Sequence, residues 1–309
     1  MKFGKLTDIA GVDFSLPPDP LTNAQVLERR RRSGRGEGLA LHVGCTGWGM
    51  PAWVGSWYPA GTKSKDFLSR YGQQFNTIEL NTTHYRIPDR TMVENWCTSV
   101  PAGFRFCPKL PQKISHDRNL GLAGEHLPLF WEALRYFGNQ LGACFLQLPP
   151  YFGADQQPLL EQFLHHWPSA YPLAVEFRHE SWFAAAEQVN QWTDLLAKYA
   201  VAAVITDVAG RRDVVHAQLT ADFAMIRFVG NGLHPSDYQR IDAWCARLEQ
   251  WQNEGLAKAY FFPHEPDNLL APDLVHYLAG QWNVGAEHKI IQPVHYANTP
   301  QGGEQISLF

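Results

Sequence analysis

An α/β fold, a (β/α)8 TIM-type barrel forming a single domain, is what this sequence predicts, and two observations predict it. Short β-rich runs alternate with helical segments through most of the chain, and the strand-like runs number eight. The alternative, an open doubly wound sheet, lacks its glycine-rich dinucleotide fingerprint. GCTGWG at 44–49 has the wrong spacing, and GRGEG at 34–38 sits in a linker instead of following a strand.

Residues 1–39 form an N-terminal extension. SLPPDP is turn-rich and extended, TNAQVLERRRR reads as a short helix capped by Thr22, and SGRGEG is a flexible linker. Arg29 to Arg32 and Arg35 make a basic run, either a solvated helix end or a phosphate-contacting arm. Residues 40–295 carry the barrel. Its strand-like runs lie at 39–48, 76–85, 103–110, 142–150, 173–178, 202–208, 223–230 and 258–264. Between them, KDFLSRYGQQF places Phe67, Leu68, Tyr71 and Phe75 on one helical face. LLEQFLHHW and IDAWCARLEQW repeat that pattern. Residues 296–309 read as a flexible tail.

Bulk composition narrows the function classes. A chain of 309 residues at 45% hydrophobic composition can bury one large core or two modest ones. No apolar run approaches the length of a membrane span, and the first residues lack the apolar core of a secretion signal. The five scattered cysteines, odd in number and without CxxC spacing, suit reduced thiols in a cytoplasmic protein. A net charge of −4 excludes a polycation, so any nucleic-acid binding needs a local patch.

Strand parity points to the chemistry. Barrel strands alternate between helix-facing and barrel-facing side chains. In VEFR, Val175 and Phe177 suit the helix side, so Glu176 and Arg178 point inward. The same argument sends Glu79, Asn81, Arg105, Lys109, Gln147, Asp207 and Arg227 inward, most of them toward the C-terminal strand ends where barrel enzymes keep their active sites. Buried charges must neutralise one another or a ligand. The set is therefore either a structural ion-pair lattice or a polar cavity with excess cations, suited to phosphate or carboxylate. Trp48, Trp53, Trp57, Tyr58, Tyr85, Tyr151, Phe152 and Trp182 follow strands and would give a stacking surface if exposed. Glu79 or Glu176 would serve as general base; His116 and His179 are the candidate proton carriers, and Asp207 completes the candidate catalytic set.

HExxH, P-loop and GxSxG signatures are absent. Acids and histidines near strand ends (Glu79, Glu176, His179, Asp207, His264, Glu265) are of metal-ligating type, but four expected cations beside them argue against a permanent multi-metal site. No metal or other cofactor is assigned.

GCTGW (44–48), FNTIELNTTHYRIP (75–88), FRFCPKLPQKISH (104–116), FLQLPPYF (145–152), VEFRHESWF (175–183) and ITD (205–207) together resemble the YecE-like family, or domain of unknown function 72, over about residues 40–282. The resemblance implies a TIM-type barrel and brings no established reaction. Comparison of the family's barrel with endonuclease IV-like barrels implies a role on DNA by fold analogy alone. FFPHEPDNLLAP at strand eight departs from the asparagine-centred segment common in the family.

Three functions follow as expectations. The first is a protein that binds or hydrolyses phosphodiesters in nucleic acid, with phosphate on Arg105, Lys109, Arg178 and Arg227 and bases on the aromatic loops. The second is an enzyme acting on a small anionic metabolite such as a sugar phosphate; the third is a non-catalytic scaffold. Finally, Gln305-Ile306-Ser307-Leu308-Phe309 resembles the clamp-binding pentapeptide of bacterial replication and repair proteins. Gln305 would make polar contacts while Leu308 and Phe309 fill an apolar pocket of the sliding clamp.

Overall fold

The computed structural model describes residues 3–32, 38–286 and 288–298. The eight strands are β1 (Ala40–Val43), β2 (Thr77–Leu80), β3 (Arg105–Pro108), β4 (Cys144–Gln147), β5 (Leu173–Glu176), β6 (Ala202–Asp207), β7 (Phe223–Val229) and β8 (Lys258–His264). All pair in parallel, in the order β1-β8-β7-β6-β5-β4 with β2-β3 beside them. Two seams close the ring. Parallel bridges Phe106–Leu141 and Lys109–Phe145 join β3 to β4. Between β1 and β2, Glu79 N donates to Cys45 O at 3.1 Å, and the Asn76 side chain bonds both Val43 N and Leu41 O. Gly44 makes this approach possible, because a Cβ there would lie 1.9 Å from Thr77 O.

Helices surround the ring: α1 (Thr22–Arg32), α2 (Phe67–Gln74), α3 (Thr82–Tyr85), α4 (Arg90–Ser99), α5 (Gln112–Ser115), α6 (His126–Arg135), α7 (Gln157–His166), α8 (Ala186–Lys198), α9 (Pro235–Glu254) and α10 (Ala271–Gly285). The predicted apolar faces are the buried ones: Phe67, Leu68 and Tyr71 on α2, and Ile241, Trp244, Leu248 and Trp251 on α9. Pro235 at the first turn and the His234–Asp237 capping box start α9, and Gly255 at φ 113° ends it. No helix among the described residues is long and apolar enough to cross a membrane.

The N-terminal segment packs on the barrel. Asp19 accepts hydrogen bonds from Arg247 and Trp251 on α9, and Leu27 of α1 joins the core. Upstream, residues 3–15 cross the C-terminal ends of the strands. Gly4 O accepts from Gly210 N at 2.8 Å, Phe3 lies 4.7 Å from the Arg178 guanidinium, and Phe14 lies 4.8 Å from that of Arg240. The side chains of Arg29 to Arg32, and all of Arg35, lie outside the described residues, as does the clamp-like tail with Gln305, Leu308 and Phe309.

Candidate functional site

Inside the ring the strands build layers. An apolar middle of Cys107, Phe145, Ala174, Val204, Met225 and Phe262 separates two polar ends. At the N-terminal end His42 stacks on Tyr260, 5.1 Å between ring centroids. Burial, helped by Arg105 and Lys258, pushes the His42 pKa down to about 3. Arg105 belongs here, at the bottom, where it donates to Ala102 O and Phe104 O. The anion-binding role expected for Arg105 is thus corrected: it opens β3, while the mouth lies at the other end of that strand.

The C-terminal end holds a continuous chain of charge. Arg227 stands at its centre, 1% exposed. Its Nε and Nη2 donate to Glu79 Oε2 and Oε1 at 2.9 and 3.0 Å; its Nη1 donates to both oxygens of Glu176 at 2.9 and 2.8 Å. Glu79 also accepts from Asn81 Nδ2 at 2.9 Å and sits 3.0 Å from His264 Nε2. Glu176 accepts further from Thr206 Oγ1 at 3.1 Å, from Arg178 Nε and Nη2 at 3.2 Å, and from Gln147 Nε2 at 2.6 Å. Gln147 passes the chain on, because its Oε1 accepts from Lys109 Nζ at 2.9 Å. Strands β2 to β8 and the residues just beyond them each place at least one side chain in this network, so parity brings the set together as argued for Glu79, Asn81, Lys109, Gln147, Glu176, Arg178 and Arg227.

Burial and neighbours set the ionisation states. Burial works to raise both carboxyls, yet Arg227 and His264 hold Glu79 well below the usual carboxylate range. Arg178 and Arg227 similarly hold Glu176 down at about 2. Burial lowers the His264 pKa, while the Glu79 carboxylate facing its Nε2 works to raise it. Burial, with Arg227 beside it, brings Lys109 down to about 8. Three fixed cations (Lys109, Arg178, Arg227) therefore face two carboxylates (Glu79, Glu176). Lys109 is held by an amide oxygen, with no carboxylate in ion-pair reach among the described residues.

Above Lys109 the rim is aromatic. His84 donates through Nδ1 to Leu110 O at 2.8 Å and packs edge-on to Tyr85 and His116, which in turn approaches Tyr151. Burial pushes the His84 pKa to about 4 and also lowers that of His116, and Lys109 depresses both. Tyr85 is 81% exposed and Tyr151 64% exposed. On the β7–β8 side, a cavity of about 410 Å³ is lined by residues 4–10 together with Gly230, His264 and Glu265.

Several expected site residues lie elsewhere. Asp207 is buried on the helix side of β6, where it accepts from Arg240 Nε at 3.3 Å and Trp244 Nε1 at 2.8 Å and pairs with Arg212. The assumed parity of β6 is one residue out of phase: Val204 and Thr206 face the interior, as the Thr206–Glu176 bond requires. Trp182 is fully buried, donating to Phe152 O and stacked on Phe152, so it is core. Trp53, Trp57, Tyr58 and Phe152 are buried likewise. Trp48, half-buried, packs edge-on against Trp96 of α4. His179 caps the short turn Glu180–Phe183, bonding Ser181 N and Oγ, and joins no part of the network.

Sequence reasoning missed Thr206, His84 and Phe3, and left His264 outside the site. His264 sits at the same inward parity as Tyr260 and Phe262, so continuing the strand argument through β8 would have found it. His84 follows the inward Asn81 by three residues, on the first turn after the strand. Nothing local marks Phe3. Among the described residues no three His, Cys, Asp or Glu side chains converge as metal ligands. The inward acids are instead saturated by guanidinium and amide donors.

Comparison with known proteins agrees with this geometry at the level of fold and family. The family model described as "Protein of unknown function DUF72" matches residues 42–299. UPF0759 protein YecE of Escherichia coli (strain K12) is 32% identical over 256 residues, covering 77% of this chain and 91% of that protein. UPF0759 protein YunF of Bacillus subtilis is 26% identical over 151 residues, covering 47% of this chain and 52% of its own. The crystal structure of a DUF72 family protein from Enterococcus faecalis superposes with a TM-score of 0.63 at 19% identity, covering 79% of this chain and 95% of that one. The chain belongs to the DUF72 family of YecE-like proteins.

Proposed function

We propose that the barrel mouth binds a small anionic metabolite, with its phosphate or carboxylate seated on Lys109 and Arg178. One observation carries this reading: among the described residues the buried network joins three cations (Lys109, Arg178, Arg227) to two carboxylates (Glu79, Glu176), and Lys109 Nζ ends it on a neutral amide. An anion there would balance the charge that these described side chains leave over. The N-terminal segment, lying against Arg178 and walling one side of the mouth, favours a compact ligand over a long polymer.

A nucleic-acid ligand is the second reading, supported by the exposed rings of Tyr85 and Tyr151 at the rim. Thermal unfolding in rising inorganic phosphate tests the first. Specific binding raises the wild-type midpoint with phosphate concentration, and Lys109→Met abolishes the rise. Equal responses from wild type and Lys109→Met overturn the reading. Stabilisation by a short single-stranded oligonucleotide, with none by phosphate, replaces it with the second.

A further inference from the structure

We infer that Lys109 is a carbonyl-reactive amine that forms an imine with an oxo group on the anionic ligand, an inference that rests on the proposed anion site. The geometry is that of an activated lysine. Lys109 lies just beyond β3, where active-site groups of such barrels sit, and the residue is 9% exposed. Arg178 and Arg227 crowd it with like charge, and its one side-chain acceptor among the described residues, Gln147 Oε1, stabilises the ammonium less than a carboxylate would. The ordinary fate of a lysine in such a network is an ion pair with Glu79 or Glu176. Here those acids are taken by Arg227 and Arg178.

The lowered basicity, to about 8, leaves on the order of a tenth of Lys109 unprotonated at pH 7. That fraction has a lone pair to attack a carbonyl carbon. The C–N bond forms as the carbonyl π pair moves to oxygen. The nitrogen gives up both of its protons in turn and the oxygen takes up two, leaving as water as the nitrogen lone pair forms the C=N bond, so the products are the neutral imine and one water. His84 and His116, whose basicity burial and Lys109 both lower, are imidazoles placed to relay those protons. His84 uses Nδ1 on Leu110 O, which leaves Nε2 as the acceptor. Arg178 would hold the ligand's anionic group, so a 2-oxo acid or a phosphorylated aldehyde or ketone is the fitting substrate class.

Reductive trapping tests this on the full chain. Glyoxylate, which carries an aldehyde and a carboxylate, is supplied with cyanoborohydride as hydride donor at pH 7, and labelled lysines are located by peptide mass spectrometry. Labelling of Lys109 at roughly ten times the level of the chain's other lysines is expected, falling when phosphate is added. Lys109→Arg, which keeps the charge, should lose that label. Label spread evenly over the lysines, in a protein that phosphate still stabilises through Lys109, overturns the imine and leaves the anion site standing. Strong Lys109 labelling that phosphate neither competes with nor accompanies by stabilisation overturns the anion site instead.

Discussion

Replacing Arg227 by methionine gives the most demanding test of the charge network. Arg227 supplies four of the hydrogen bonds that hold Glu79 and Glu176, both fully buried. Removing it strands two carboxylates away from water, and breaking one buried pair costs roughly 3–5 kcal/mol. With two carboxylates sharing one guanidinium, a loss near the top of that range, about 5 kcal/mol, is expected at pH 7. The pH dependence has a definite sign. In the wild type both acids have lowered pKa values, Glu176 at about 2. Their stabilising contribution is therefore present above the unfolded value near 4.5 and is lost as pH falls through the folded values. Without Arg227, Glu79 loses the first of the charges that hold it down and burial raises it, while Glu176 keeps Arg178, so the variant recovers in part as pH falls from 7 toward 5 and the gap to wild type narrows. Urea unfolding at pH 7 and pH 5, followed by the fluorescence of buried Trp182, Trp192, Trp244 and Trp251, reads these differences. A loss below about 1 kcal/mol at pH 7, or an equal gap at both pH values, refutes the account of Arg227 as the bridge between two buried carboxylates.

Other substitutions separate structural charges from binding ones. Asp207→Asn weakens the partners of Arg240, Arg212 and Trp244 and should cost roughly 3–5 kcal/mol in urea unfolding, yet leave the phosphate response intact. Glu265, raised to about 7 by burial, destabilises the fold increasingly as pH rises from its unfolded value toward 7. Glu265→Gln should therefore raise the melting temperature more at pH 8 than at pH 5, and the reverse order would contradict its burial as an acid. Phe3→Ala removes a ring from Arg178 and Arg211 and should cost about 0.5–2 kcal/mol by the same unfolding assay. For the clamp-like tail, the full chain should bind the bacterial sliding clamp in a fluorescence titration, and a form ending at Gly303 should not; equal binding by both removes that proposal.

The strands and the site were legible in the sequence to different depths, for a physical reason. Eight strands could be counted because parallel barrel strands, covered by helices outside and by packing inside, need short apolar runs. Which face a residue takes depends on a single phase per strand. VEFR fixes its own phase, because a glutamate and an arginine alternate with two apolar residues. AAVITD does not: Val204 and Ile205 suit either face, and Thr206 is small enough to face inward while Asp207 turns out to Trp244 and Arg240. A charged residue does not mark the inner face where a buried arginine from a helix can meet it on the outer one. Arg105 shows the second loss, since parity gives face but not height, and an inward residue at the start of β3 is a full barrel depth from the mouth. The aromatic loops show the third, because tryptophan supplies core area and stacking faces equally well and sequence position cannot separate them. Phe3 shows the last: its contact with Arg178 joins residues 175 positions apart, and no local pattern encodes such a pair. What parity did reach, the inward line of Glu79, Glu176, Arg178 and Arg227, is the part of the site where buried charge leaves the chain least choice of partner.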